Sequence, residues 1–473
     1  MKKISFKKIL PSKILVMSFI IIILIGTFFL SLPFAVNKGH NISILTALFT
    51  ATSAVSVTGL TLVDVSKVFS PFGKGIILIL IQLGGLGIMT FSTLVFTLIG
   101  KQIGYHERKI LKEDLNSYSV GGVIRFLKRI VLIVIGIEVV GAGFLTLGFS
   151  NTMPLKKAMI YGIFHSVSAF CNAGFSLFSD SIVKYSSNIT VTLTISILIS
   201  LGGIGFAVIN STISYYKTGK KRYNLTSKLA LSISFFLTLS GAIMFFIFER
   251  SNPGTLGNMG IIDALNNSFF QSVTARTAGF NSIPMENIRP STLFLFLILM
   301  FIGASPGSTG GGLKTTTLGI IMFYVLVILR NEKNLIISNR RVSWEVLHRA
   351  MAILVISLLY ITIVVFLILM TNKIESTSLM GIADSILQGT LHGSNIIQTT
   401  NLTLDKVIFE VMSAFATVGV SQGITADLNV FGRILIILTM LIGRVGPLTF
   451  MLAFSEKLKV RSYKYPEENI LIG

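Results

Sequence analysis

The sequence predicts an all-α integral membrane protein of four fused span–pore-loop–span repeats. Pseudo-four-fold symmetry, eight transmembrane helices and a channel-like arrangement follow from that reading. Three observations carry it. The 473 residues are 52% hydrophobic and only 12% charged, with a mean hydropathy of +0.80, a composition outside the soluble range. Apolar runs of about 20 residues, the length a helix needs to cross hydrocarbon, recur along the chain. Four glycines, Gly59, Gly174, Gly279 and Gly419, each stand ten residues after a phenylalanine (Phe49, Phe164, Phe269, Phe409) and six after Ser53, Ser168, Val273 or Ser413.

The first repeat, residues 1–100, opens on a basic run at 1–13. The apolar run 14–35 is long and no small-residue cleavage site follows it, so it reads as an uncleaved span rather than a signal peptide. A re-entrant loop at 44–60 and a return span at 72–100 complete the unit. The second repeat, 101–223, begins with a basic cytoplasmic loop and has spans at 124–149 and 189–215 around a loop at 158–175. The third, 224–330, has spans at 229–248 and 293–329 around a loop at 262–280. Its second span is broken by an intramembrane loop at 303–314. The fourth, 331–473, has spans at 350–370 and 430–454 around a loop at 404–420, then a C-terminal tail.

Glycine-to-glycine spacings of 115, 105 and 140 residues are too long for a solenoid of small repeats and fit fused channel subunits. A small-residue mark stands 24 to 28 residues past each glycine: Gly84-Gly85-Leu86-Gly87, Gly202-Gly203-Ile204-Gly205, Gly303-Ala304-Ser305-Pro306-Gly307 and Gly443-Arg444-Val445-Gly446-Pro447. Such residues let helices approach closely.

A net charge of +21 raises the question of nucleic acid. However, 26 of the 40 Lys and Arg fall in five blocks, at 1–13, 101–129, 217–228, 330–349 and 457–464. These blocks alternate with the apolar runs as the positive-inside rule requires. The reading is a multi-pass protein of the cytoplasmic membrane with both termini cytoplasmic and no nucleic-acid partner. A single cysteine, Cys171, allows no internal disulfide. The five histidines (His40, His106, His165, His348, His392) are scattered without ligand spacing, so no metal is expected beyond a transported ion.

A cation crossing lipid must exchange its water for other oxygen ligands, and rings of backbone carbonyls supply them. Glycine, lacking a Cβ, lets the backbone turn its carbonyls inward, and a short upstream helix aims its C-terminal end at the ion. Thr417-Val418-Gly419 spells the start of the filter of potassium channels. The expected K+ selectivity filter is therefore Val57, Thr58, Gly59; Asn172, Ala173, Gly174; Thr277, Ala278, Gly279; and Thr417, Val418, Gly419. The loops differ from one another and each has one glycine, so uneven ion binding and looser discrimination against Na+ are expected. Arg276, three residues before Gly279, is expected to brace its loop.

Pro306 and five glycines within 303–314 exclude a continuous helix, and broken backbone at membrane depth must face protein or water. This stretch reads as a gate beneath the filter, formed by Gly310, Gly311, Gly312 and Lys314 together with Arg444. The two cations either oppose passing ions or pair with an acid or with free carbonyls of the broken helix. A phosphate-binding loop is the competing reading of Gly307 to Thr315. Leu313 separates Gly312 from Lys314 and no strand precedes them, so no nucleotide is expected on this chain. Glu138 reads as the main buried acid.

With four loops, the broken GASPGSTGGGLKTT stretch at 303–316, Arg444 and the ending at 465–473, the chain resembles the superfamily of potassium transporters that includes TrkH, KtrB and plant HKT proteins. A single span before the first pore loop matches the KtrB type, the membrane subunit of bacterial Ktr systems; TrkH proteins carry two more. The resemblance covers nearly the whole chain. It implies K+ uptake without enzymatic activity or covalent cofactor, a homodimer with the C-terminal tail at its interface, and a cytoplasmic KtrA-like ring of RCK-type subunits that binds ATP or ADP. The rival readings are an ion-coupled secondary K+ symporter (Na+ or H+) and the membrane subunit of an ATP-driven pump.

Overall fold

A computed structural model of the chain describes residues 11–87, 123–218, 224–332, 334–371 and 402–454. Most of the basic N-terminal run, the end of the first return span with most of the basic loop after it, and the C-terminal tail lie outside the described residues.

Long helix, short helix, loop and return helix follow one another four times. Helices α1 (Pro11–Leu30), α2 (Ile44–Ser56) and α3 (Pro71–Leu86) form the first unit. The second has α4 (Val123–Ser150), α5 (Leu155–Phe170), α6 (Ile189–Ile204) and α7 (Phe206–Thr218). The third has α8 (Leu225–Glu249), α9 (Ile261–Thr274), α10 (Pro290–Phe301) and α11 (Thr315–Leu329). The fourth has α12 (Trp344–Thr371), α13 (Leu404–Phe415), α14 (Val430–Val445) and α15 (Pro447–Phe454).

Three of the four return helices begin alike, because an oxygen-bearing side chain satisfies an orphan amide of the first turn. Ser70 accepts from the Gly73 amide at 3.2 Å, Asn188 from Val191 at 3.3 Å and Asn429 from Gly432 at 2.7 Å. Each return helix then packs against the short helix of the next unit: α3 on α5, α6 on α9, α10 on α13, and α14 on α2. The last pairing closes the four units into a circle. Phenylalanines pack between the helices, with Phe49, Phe170, Phe270, Phe409 and Phe415 all buried.

Two expectations are corrected. Among the described residues, four helices are long and apolar enough to cross a membrane unaided: Ser12–Leu30, Arg129–Ser150, Leu225–Glu249 and Trp344–Thr371. The return spans expected as continuous at 189–215 and 430–454 are broken. Gly205 and Gly446 have φ of +99° and +92°, outside helical geometry, and α14 and α15 meet at 99°. Gly87, at the matching place in the first unit, has φ +85° and ends α3. The all-helical expectation also misses a small hairpin, Ile336–Ile337 paired antiparallel with Arg340–Arg341. Ser338 and Asn339 turn it with φ of +49° and +60°, as a two-residue hairpin loop requires.

Candidate functional site: a ring of four glycine loops

The short helices α2, α5, α9 and α13 stop three to five residues before their glycines, and the four glycines come together. A Cβ built on Gly59 would lie 3.1 Å from the Gly174 Cα, and one on Gly174 2.9 Å from the Gly279 Cα. One on Gly279 would lie 3.4 Å from the Gly419 Cα, and one on Gly419 3.0 Å from the Gly59 Cα. The ring is therefore closed. In each case that Cβ would also run into the carbonyl oxygen of the residue before the next glycine: Ala173, Ala278, Val418 and Thr58 in turn. Glycine is required by close approach as much as by its φ of +69° to +95°.

The backbone pattern is the same in all four loops. Val57, Asn172, Thr277 and Thr417, two residues before each glycine, are left-handed with φ of +58°, +60°, +76° and +51°. Left-handed geometry disfavours β-branched residues, so surrounding bonds must hold it. The Thr58 amide donates to the Ser53 carbonyl at 2.8 Å, Ala173 to Ser168 at 2.7 Å, Val418 to Ser413 at 2.8 Å and Ala278 to Thr274 at 3.0 Å. Side chains add to this. The Ser53 and Ser413 hydroxyls each accept from the ring-glycine amide at 3.0 Å. Those of Ser168 and Thr274 donate to the Phe175 and Phe280 carbonyls at 2.8 and 2.7 Å.

The third loop departs from the expected register. Phe269 is 36% exposed, whereas Phe270 is fully buried, and Thr274 does what Ser53, Ser168 and Ser413 do elsewhere. The third helix is thus displaced by one residue relative to its glycine. Val273, standing where the other three loops have serine, was the visible signal.

Beneath the ring lies the stretch 302–314. Gly310 and Gly311 abut the side chains of Thr277 and Thr417, leaving no room for a Cβ, and the Gly311 amide donates to Thr417 Oγ1 at 2.9 Å. The helix break at Gly205 exposes backbone groups, and this stretch satisfies them. The Ser305 and Thr309 amides donate to the Gly203 and Gly202 carbonyls at 3.0 and 3.3 Å, and the Phe206 amide donates to the Gly307 carbonyl at 2.8 Å. Lys314 Nζ donates to the Gly310 carbonyl at 2.7 Å. The Arg444 guanidinium donates to the Thr309 and Gly84 carbonyls and to Gly85 at 3.3 Å. Both cations are hydrogen-bonded to carbonyls at helix ends and breaks. Arg276 reaches outward to α8, donating to the Ser234 carbonyl and Oγ at 3.0 Å and to Thr238 Oγ1 at 3.1 Å.

Three of the small-residue marks have a shared division of labour. A Cβ on their first glycine, Gly84, Gly202 or Gly443, would meet the Val55, Phe170 or Phe415 carbonyl, each four residues before a ring glycine. Gly205 and Gly446 then break their helices, and Gly87 ends its own. Glu138 is not the main buried acid: Glu249 is fully buried and Glu410 is 1% exposed, against 7% for Glu138. Glu249 accepts from the Arg289 amide and from Thr292 and Thr255, holding the start of α10. Glu138 meets Gln82 Nε2 at 3.3 Å. Among the described residues no His, Cys, Asp and Glu gather as metal ligands.

The model of the TrkH cation transport protein family matches residues 3–388 and 389–464. The chain belongs to that family. The TrkH family comprises ion transporters, not enzymes, and this chain is a multi-pass membrane member. It is 37% identical to the Ktr system potassium uptake protein B of Bacillus subtilis over 472 residues, covering 100% of this chain and 99% of that one. It is also 37% identical to the potassium/sodium uptake protein NtpJ of Enterococcus hirae, at 100% and 99% coverage. Identity to the Ktr system potassium uptake protein B of Vibrio alginolyticus is 36%, at 98% and 94% coverage. The crystal structure of the potassium transporter TrkH from Vibrio parahaemolyticus shares the fold, with a TM-score of 0.68 over 96% of this chain and 86% of that one at 18% identity.

Proposed function

We propose that the chain takes up K+ across the cytoplasmic membrane through the ring, as a KtrB-type subunit. One observation carries the reading: four loops close on one another with the Thr58, Ala173, Ala278 and Val418 carbonyls at the contacts. Oxygens so arranged can replace an ion's hydration shell. The filter comprises residues 57–59, 172–174, 277–279 and 417–419. If each broken return helix is counted as one span, the chain has eight spans in four repeats, 1–100, 101–223, 224–330 and 331–473, about a pseudo-four-fold axis. An inside-negative potential favours entry by about 2.3 kcal/mol per charge per 100 mV, so no pump is needed.

The stretch around Gly310, Gly311, Gly312 and Lys314, with Arg444, is the gate, and Arg276 supports the filter from behind. The loop's bonds to Gly202, Gly203 and Phe206 make it a tied obstruction that opens together with the α6–α7 junction. The full transporter is a homodimer regulated by a KtrA-like cytoplasmic ring, with ATP or ADP on that partner, and both termini are cytoplasmic. The Ktr names of two full-length relatives support this assignment.

The test is K+ uptake in cells lacking their own uptake systems. The wild-type chain should restore growth at low K+. Gly279→Ser, which adds a Cβ against the Val418 carbonyl at φ +82°, should admit Na+. Growth not restored with the partner ring present, or unchanged Na+ exclusion in the variant, refutes the reading. A relative named for potassium and sodium favours a second reading, in which Na+ is also carried. Strict one-to-one movement of Na+ with K+ in vesicles would establish it.

A further inference from the structure

Past each ring glycine the chain leaves the axis, and a carbonyl is only as fixed as the backbone on both of its sides. In three loops a buried polar side chain of the short helix holds this outgoing segment. His165 Nδ1 lies 2.8 Å from the Tyr161 carbonyl, which puts the ring proton there. Nε2 then accepts from the Leu177 amide at 3.4 Å and stands 3.1 Å from Ser176 Oγ. Gln271 Nε2 donates to Ser282 Oγ at 3.2 Å. Glu410 accepts from Ser421 Oγ at 2.7 Å and from Thr425 Oγ1 at 2.5 Å.

All three side chains are at most 1% exposed, and they occupy matching places. His165 and Glu410 stand nine residues before their glycines and Ser176 and Ser421 two after. In the third loop, with its displaced helix, the offsets are eight and three. The first loop is different. Thr50, nine before Gly59, bonds back to the Thr46 carbonyl at 2.9 Å, and among the described residues no side-chain bond joins α2 to residues 60–63.

Glu410 makes the strongest of these ties. Its side chain meets two hydroxyls at 2.7 and 2.5 Å, the shortest contacts of the three ties, and so spans two points of the outgoing segment. No Lys or Arg among the described residues forms an ion pair with it; the one ion pair there is Lys67–Asp64. We propose that His165, Gln271 and Glu410 are positioning residues that fix the downstream half of three ring loops. Within this set, the tie from Glu410 to Ser421 and Thr425 governs how strictly the ring chooses among alkali cations. The proposal rests on reading the ring as an ion filter.

The purified full-length chain in proteoliposomes, with K+ and Na+ uptake measured in parallel, tests it. Glu410→Leu should lower the K+-to-Na+ uptake ratio on the order of tenfold, the size set by one buried hydrogen-bonding site. Glu410→Gln, whose amide oxygen still accepts from the hydroxyls, should stay within about twofold of wild type. Should Glu410→Leu not yield folded protein, Ser421→Ala combined with Thr425→Val cuts the same tie from its other end. An unchanged ratio in whichever of these is measured overturns the proposal. So does a Glu410→Gln loss as large as that of Glu410→Leu, which would assign the effect to charge. A wild-type protein that moves neither ion with its partner ring and nucleotide supplied overturns the filter reading itself, whereas a selective wild type with indifferent variants overturns only the brace.

Discussion

The return helices of the third and fourth units break at the same place in the repeat, in different ways. In the fourth, Gly446 turns the chain within one residue, and a Cβ there would meet nothing nearer than Thr449 Oγ1 at 3.9 Å. In the third, the chain runs without helix from Ile302 to Lys314, crosses beneath the ring and bonds to the second unit. A glycine of positive φ redirects a helix at little cost to its neighbours. Carrying polypeptide across an axis at membrane depth takes more, because exposed backbone groups must find partners. The third unit finds them at the second unit's own break.

Deleting Gly310–Gly312 would abolish the difference and should have the largest effect. K+ flux in vesicles should rise tenfold or more, as when roughly 1.4 kcal/mol of barrier is removed. A fall in flux at normal protein yield contradicts an obstructing role. Gly205→Ala comes next. Its Cβ would stand 2.6 Å from the Pro306 carbonyl oxygen and should dislodge the loop from α6, raising flux about fivefold; unaltered flux in folded protein would separate the loop from the α6 break.

Arg444→Gln removes the link from the fourth unit's break to the Thr309 carbonyl of the third. It should raise flux about threefold and lower stability by about 1–3 kcal/mol, read by thermal unfolding in detergent. Lower flux would mean that the arginine does more than tie the loop. Smallest of all is Gly446→Ala, which adds only backbone strain of about 1–3 kcal/mol. The melting temperature should drop while flux stays the same. Altered flux would show that the two breaks are functionally alike.

Much of the ring was legible because glycine marks sterically forced places: the four spaced glycines and the Gly- and Pro-rich break in the third unit needed no tertiary information. The left-handed residues before each glycine were not. Val57, Thr277 and Thr417 are β-branched and carry the opposite local preference; bonds from Ser53, Thr274 and Ser413 override it. The marks beginning at Gly84, Gly202 and Gly443 predict close helix contacts, which holds for their first glycine. The break at the last glycine depends on φ, which sequence does not display. The register of α9 is hidden in the sequence, because alignment on glycine and phenylalanine conceals a one-residue displacement. Sequence does not mark Glu410 and His165, because each is a lone polar residue whose partners come eleven to fifteen residues later, and nothing in such a pair advertises burial.

The ring is made by one polypeptide, and that has a consequence for how it can be taken apart. In an assembly of identical chains every substitution changes all ligands at once. Here Gly59, Gly174, Gly279 and Gly419 can be altered one at a time, so the contribution of each quadrant can be weighed while its three companions stay untouched.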